Sequence, residues 1–213
     1  MSAIFVTGTD TGVGKTTVSA SIARVLIEKG LRVGYYKPVE TGVEGIPQDG
    51  KLLSDITGQP LEDVVLYTYK NPLAPYPASI LEKRDLDIHR IVEHFEYLRA
   101  KYDFLIVEGA GGVYVPIKRD FTYVDLIKRL SVPVLIVARA RLGTINHTVL
   151  TVKALEGVEI IGIVMNGFSG VDISEETNPQ VIEEMTSIKV IGRCNFTENP
   201  LEECYRSLKG ISL

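Results

Sequence analysis

Short, unbroken apolar runs alternate along this chain with longer stretches whose apolar residues recur at helical spacing. Residues 4–7, 31–37, 104–107, 133–138 and 160–165 read as strands, the second of them ending at Pro38. Residues 15–29 read as a helix stopped by Gly30, and 85–101 as a second, with Ile88, Ile91, Val92, Phe95 and Leu98 on one stripe. Further helices are expected over 123–130, 145–155, 179–186 and 201–208. Residues 43–50 and 65–82, rich in Gly, Pro and Tyr, read as irregular. Strands that are apolar throughout, separated by helices, predict an α/β fold: a mostly parallel sheet flanked by helices in three layers. Ligands of such sheets bind at the carboxyl ends of the strands. No repeat or linker interrupts the pattern, so residues 1–213 are expected to form one domain.

Composition adds mainly exclusions. A net charge of −4 argues against a general nucleic-acid binder, which would carry a basic face. Cys194 and Cys204 lack zinc spacing and form no CxxC pair, which suits free thiols in a reducing compartment. No apolar run reaches membrane-span length, and no charged leader precedes an apolar core at the N-terminus. The expectation is a cytoplasmic protein without membrane contact.

Chemistry enters with GTDTGVGKTT at residues 8–17, directly after one predicted strand and before a predicted helix. This is the context of a phosphate-binding P-loop, in which backbone N–H groups and a helix N-terminus face phosphate oxygens. Gly12, Val13, Gly14, Lys15, Thr16 and Thr17 are the expected nucleotide contacts. Lys15 should bridge the β- and γ-phosphates, and Thr16 should reach Mg²⁺. The first glycine, Gly8, stands one residue earlier than the usual spacing. Two further clusters lie at strand ends: Lys37 in KPVETG (37–42) and Glu108 in VEGAGG (107–112). A lysine there can stabilise a second anion beside the triphosphate, and an acid there can hold Mg²⁺.

Together with LGTINHT (142–148) and GIVMNG (162–167), these motifs resemble the dethiobiotin synthetase family in the same order across most of the chain. The resemblance implies an ATP-dependent ligase that acts on 7,8-diaminononanoate and CO₂. A carbamate forms, ATP converts it to a carbamic–phosphoric anhydride, and the second amine closes the cyclic urea. It also implies roles: Lys37, Lys15 and Thr11 at the reacting anions; Thr41 and Gly111 beside the substrate; Asn166 at the adenine edge; Thr16, Asp49 and Glu108 at Mg²⁺. Asp55 is the alternative to Asp49. Leu142, Gly143 and Asn146, supplied by the other subunit of a homodimer, would receive the substrate carboxylate. Residues 192–200 would cover the base, with Cys194-Asn195 where the family usually has an apolar-Pro pair. Gly12 replaces a glutamate found in some members. Ala74-Pro75-Tyr76 replaces Ser-Pro-His, which leaves Tyr76 as a candidate channel residue. His89, His94 and His147 receive no role.

Three other classes fit less well. A partitioning switch ATPase would carry a signature lysine where Asp10 stands. A GTPase would need Asn-Lys-x-Asp where the chain has Asn166-Gly167-Phe168. A cobyrinate-type amide synthase would need an additional glutaminase domain.

Overall fold

A computed structural model describes residues 2–211. In chain order the elements are β1 (Ala3–Gly8), α1 (Lys15–Glu28), β2 (Val33–Thr41), α2 (Gln48–Thr57), α3 (Leu61–Val64), β3 (Val65–Tyr69), α4 (Pro75–Leu81), α5 (Ile88–Lys101), β4 (Phe104–Gly112), β5 (Pro116–Lys118), β6 (Phe121–Thr122), α6 (Tyr123–Leu130), β7 (Val134–Arg139), α7 (Thr144–Ala154), β8 (Ile160–Phe168), α8 (Ser174–Thr186), β9 (Val190–Asn195) and α9 (Pro200–Leu208). Seven strands form one parallel sheet in the order β3-β2-β4-β1-β7-β8-β9, and β5 pairs with β6 as a separate ribbon.

Period-two alternation explains why the strands are apolar on both faces. Phe5, Tyr36, Val107, Ile136 and Met165 point into a core shared with α5 and α6. Ile4, Val6, Tyr35, Ile106, Val137 and Val164 point into a second core built on α1 and α9. Continued to the strand tips, the same alternation sends Lys37, Glu108, Arg139 and Asn166 to the α1 face. Four strands therefore deliver polar side chains to the start of one helix.

Several boundaries differ from the sequence expectation. β2 runs through Pro38 to Thr41 rather than ending there. Pairing with β4 stops at Tyr36, so the missing N–H of Pro38 breaks no ladder on that side, while Lys37, Val39, Glu40 and Thr41 pair with β3. The stretch 65–82 is not irregular: it holds the edge strand β3 and helix α4, whose Pro75 occupies the first turn, where a proline is tolerated. Residues 43–50 form a loop only as far as Pro47, the N-cap of α2. α8 begins at Ser174, earlier than expected, with Pro179 inside it; the Ser174 N–H donates to an Asp172 carboxylate oxygen at 2.9 Å.

Helix α6 has the extent its periodicity predicts. Asp125 accepts hydrogen bonds from both the backbone N–H and the hydroxyl of Thr122, each at 2.7 Å, and these contacts hold its carboxyl below the ordinary range. Because the folded-state value is depressed, this stability is present above the unfolded value near 3.8 and is lost as pH falls through the folded one. Asp125→Ala is expected to cost about 1 kcal/mol at neutral pH. Denaturant titrations should show that deficit shrinking in acid.

Candidate active site

The phosphate loop, residues 9–14, joins β1 to α1 at the carboxyl edge of the sheet. Gly12 and Gly14 have φ of 69° and 97°, conformations that favour glycine. A side chain at Gly14 would collide with the Asn166 amide, whose Nδ2 donates to the Val13 carbonyl at 2.9 Å. The Asn166 amide therefore keeps this bond to the loop only if position 14 is bare.

Glu108 lies at the centre of the site and is wholly buried. Its Oε1 accepts from the Thr16 hydroxyl at 2.8 Å and from the Lys37 ammonium at 3.2 Å, and its Oε2 accepts from the Ser19 hydroxyl at 2.7 Å. Lys37 also pairs with Asp49 in the first turn of α2, so its ammonium stands between two carboxylates. Burial alone would lower the Lys37 pKa, but Glu108 and Asp49 outweigh it and raise the value above the ordinary lysine range. Lys15 moves the other way. Burial is the largest influence and lowers its pKa, with Glu108 opposing and Lys37 adding to the fall. Its ammonium donates to the Asp10 carbonyl at 3.2 Å. Glu40 accepts the N–H groups of Asp49 and Gly50, fixing the start of α2, and burial raises its carboxyl above the ordinary range.

These groups line a cavity of about 670 Å³, which brings together Thr11, Gly12, Gly14, Lys15, Thr16, Thr17, Lys37, Thr41, Asp49, Glu108 and Gly111. Its outer wall is Pro72–Pro75. Of the two acids weighed from the sequence, Asp49 reaches this site, whereas Asp55 is exposed and pairs with Lys51 at 2.5 Å. Tyr76 is not among the residues lining this cavity; it lines a different one with Asp85, Lys118 and Arg129. A neighbouring cavity of about 380 Å³ opens on the other side of the loop, lined by Val13, Arg139, Asn166, Asn195, Phe196 and Pro200. Cys194 does not reach it. That thiol is buried in the α1-side core with Cys204.

Leu142, Gly143 and Asn146 do not approach the large cavity of their own chain. They stand exposed where α7 begins, and Gly143, with φ of 92°, is its N-cap. The preceding turn is fixed by Asp172, which accepts the Leu142 N–H at 2.9 Å, and by Asn178, which donates to the Ala140 carbonyl at 2.7 Å. A groove of about 660 Å³ lies between Thr9, Tyr114, His147 and Leu150. His89 is exposed beside Glu93, and the His94 ring contacts the Asp63 carbonyl.

Sequence reasoning missed Ser19, Glu40, Arg139 and Tyr35. Ser19 follows Lys15 by one helical turn, a signal the sequence carried; Arg139 shares the strand parity of Leu135 and Val137, but parity alone does not mark an arginine that ends an apolar strand. The Tyr35 hydroxyl is buried near Glu108 and Asp49 without a hydrogen-bond partner, and burial holds it well above the ordinary phenol range.

A glycine-bent loop on a helix N-terminus, a loop lysine and a buried acid at a neighbouring strand tip define a P-loop protein of the α/β class. The model of an AAA domain family matches residues 2–199. An ATP-dependent dethiobiotin synthetase of Aquifex aeolicus is 53% identical over 189 residues, covering 87% of this chain and 86% of the relative. Those of Methanococcus vannielii and Bacillus subtilis are 44% and 43% identical, covering 99% and 90% of this chain and 99% and 86% of the relatives. The chain belongs to the ATP-dependent dethiobiotin synthetase family. Among solved structures, the MinD cell division protein of Aquifex aeolicus superposes with a TM-score of 0.60 at 15% identity over 100% of this chain and 99% of that one. A ParA family ATPase from Chlorobium tepidum gives 0.59 at 16%, over 97% and 88%. Likeness at that identity speaks for the fold alone.

Proposed function

We propose that this chain uses ATP to close the ureido ring of dethiobiotin from 7,8-diaminononanoate and CO₂, a step of biotin biosynthesis. The observation that carries this reading is the position of Lys37. Its ammonium lies at the same sheet edge as Lys15 and Thr16, inside a cavity with room for an organic acid beside a triphosphate.

The chemistry places anion beside anion. One amine of the substrate attacks CO₂, loses a proton and becomes a carbamate. A carbamate oxygen attacks the γ-phosphorus, and ADP leaves. The second amine attacks the carbamoyl carbon, loses a proton and expels phosphate as the ring closes. Repulsion between the carbamate and the triphosphate must be offset by fixed cations. Lys37 serves the carbamate and the transferring phosphoryl group, Lys15 serves the β- and γ-phosphates, and Thr11 hydrogen-bonds the reacting region. Thr41 and Gly111 position the diamine.

Thr16, Asp49 and Glu108 are an all-oxygen set suited to a hard divalent cation, and the Lys37 ammonium between the two carboxylates marks a place where positive charge is stabilised. We assign Mg²⁺ to these three residues, where it would offset phosphate charge. Gly12, Val13, Gly14, Lys15, Thr16 and Thr17 hold the phosphates. Asn166 commits one amide N–H to Val13, which leaves Oδ1 to accept from the adenine amino group and the second N–H to donate, with Asn195 and Phe196 beside the base.

The exposed start of α7 supports a homodimer. Its free N–H groups suit a carboxylate, and Leu142, Tyr114 and Leu150 leave apolar surface uncovered around it and the adjoining groove. In this arrangement Leu142, Gly143 and Asn146 of a second copy receive the substrate tail. The small-molecule substrates need neither nucleic acid nor membrane, and no described helix is long and apolar enough to cross a membrane. A cytoplasmic location accords with this chemistry.

The test is phosphate release from ATP with Mg²⁺ and bicarbonate. Release should depend strongly on the diamine acid. Release indifferent to it would favour a switch ATPase of the partitioning type.

A further inference from the structure

The tips of β7 and β8 lie in register, with Arg139 opposite Asn166. Both side chains reach the phosphate loop from outside. Asn166 Nδ2 donates to the Val13 carbonyl at 2.9 Å, and Arg139 Nη2 donates to the Thr11 carbonyl at 2.6 Å. Arg139 Nη1 also lies 3.7 Å from the Asp10 carboxylate, whose other oxygen accepts the Thr11 N–H at 2.7 Å. A trans peptide is planar, and its C=O and N–H point in opposite directions. Pinning the Thr11 and Val13 carbonyls outward therefore aims the Gly12 and Gly14 N–H groups into the loop, where an anion would sit. The positive φ at both glycines makes those orientations accessible.

We propose that Arg139 is a positioning residue for phosphate binding: it holds the Thr11–Gly12 peptide so that the Gly12 N–H faces the phosphates, as Asn166 does for Gly14. The proposal rests on the nucleotide reading above and adds a residue to it. Arg139 also lines the neighbouring cavity, so its action through the loop must be distinguished from direct contact with a base or ribose.

Calorimetric binding of ADP and of inorganic tripolyphosphate makes that distinction, because tripolyphosphate has neither base nor sugar. Arg139→Met should weaken both ligands by the same factor, about tenfold for one lost charge-assisted hydrogen bond. Arg139→Lys, which keeps one charged donor, should recover part of the loss for both, and it supplies the comparison if the methionine variant does not fold. Unchanged tripolyphosphate affinity in the variants would overturn the proposal, whether or not ADP binding fell. Wild-type protein that bound neither ligand would overturn the nucleotide reading, and the proposal with it.

Discussion

Lys37→Ala is expected to lower kcat by about a hundred- to a thousandfold, the usual effect of removing a fixed group that stabilises transition-state charge. ATP affinity should change by less than about threefold, since Lys15 and the loop N–H groups remain. The same substitution strips a partner from a wholly buried carboxylate, leaving Glu108 with only the Thr16 and Ser19 hydroxyls. Stability should therefore fall by about 3 kcal/mol, read from urea denaturation. The pH dependence has a definite sign. The folded-state pKa of Lys37 lies above its unfolded value near 10.5, so the pair contributes fully below that value and is lost as pH rises through the higher one. Equal losses in turnover and ATP binding would contradict the role given to this lysine.

Gly14→Ala should be nearly as damaging, but through binding. Left-handed backbone costs an alanine about 1–2 kcal/mol, and the added methyl collides with the Asn166 amide that anchors Val13. The Asn166 amide must swing away and give up its bond to Val13 while the loop carries a strained backbone, so the KM for ATP should rise by about a hundredfold. The two residues are in contact, so their losses should not add. Asn166→Ala should weaken ATP binding in the wild-type background and do little further harm once Gly14 is alanine. Independent, additive losses would show that the glycine serves something other than the fit to Asn166.

How far the sequence reached differs between core and edge. The central strands carried long apolar runs because both faces are buried, and they were found. β3 and β9 lie at the sheet edges; half-buried Tyr67 and Thr68 in the one, and buried Gly192 with exposed Arg193 in the other, leave them no such run. For the site, Lys15, Lys37 and Glu108 were legible because each ends or follows a strong strand. Asp49 needed the family pattern, since a second aspartate, Asp55, sits on the same helix and only three dimensions show which one meets Lys37. Arg139 was hidden by a plain reason: an arginine after an apolar strand usually ends in solvent, and its partner is a backbone carbonyl far away in sequence. The start of α7 shows the opposite case. Its motif was clear, yet Leu142, Gly143 and Asn146 lie outside the cavity of their own chain.

If one cationic edge of the sheet serves the triphosphate and the newly carboxylated nitrogen together, the carbamate itself is phosphorylated. Oxygen tracing tests this directly. With ¹⁸O-labelled CO₂ supplied in a brief single-turnover reaction, the oxygen that attacks phosphorus leaves with the phosphate when the ring closes. One ¹⁸O per released phosphate is the expected result. Phosphate carrying oxygen from water alone, formed in step with the cyclic product, would contradict it.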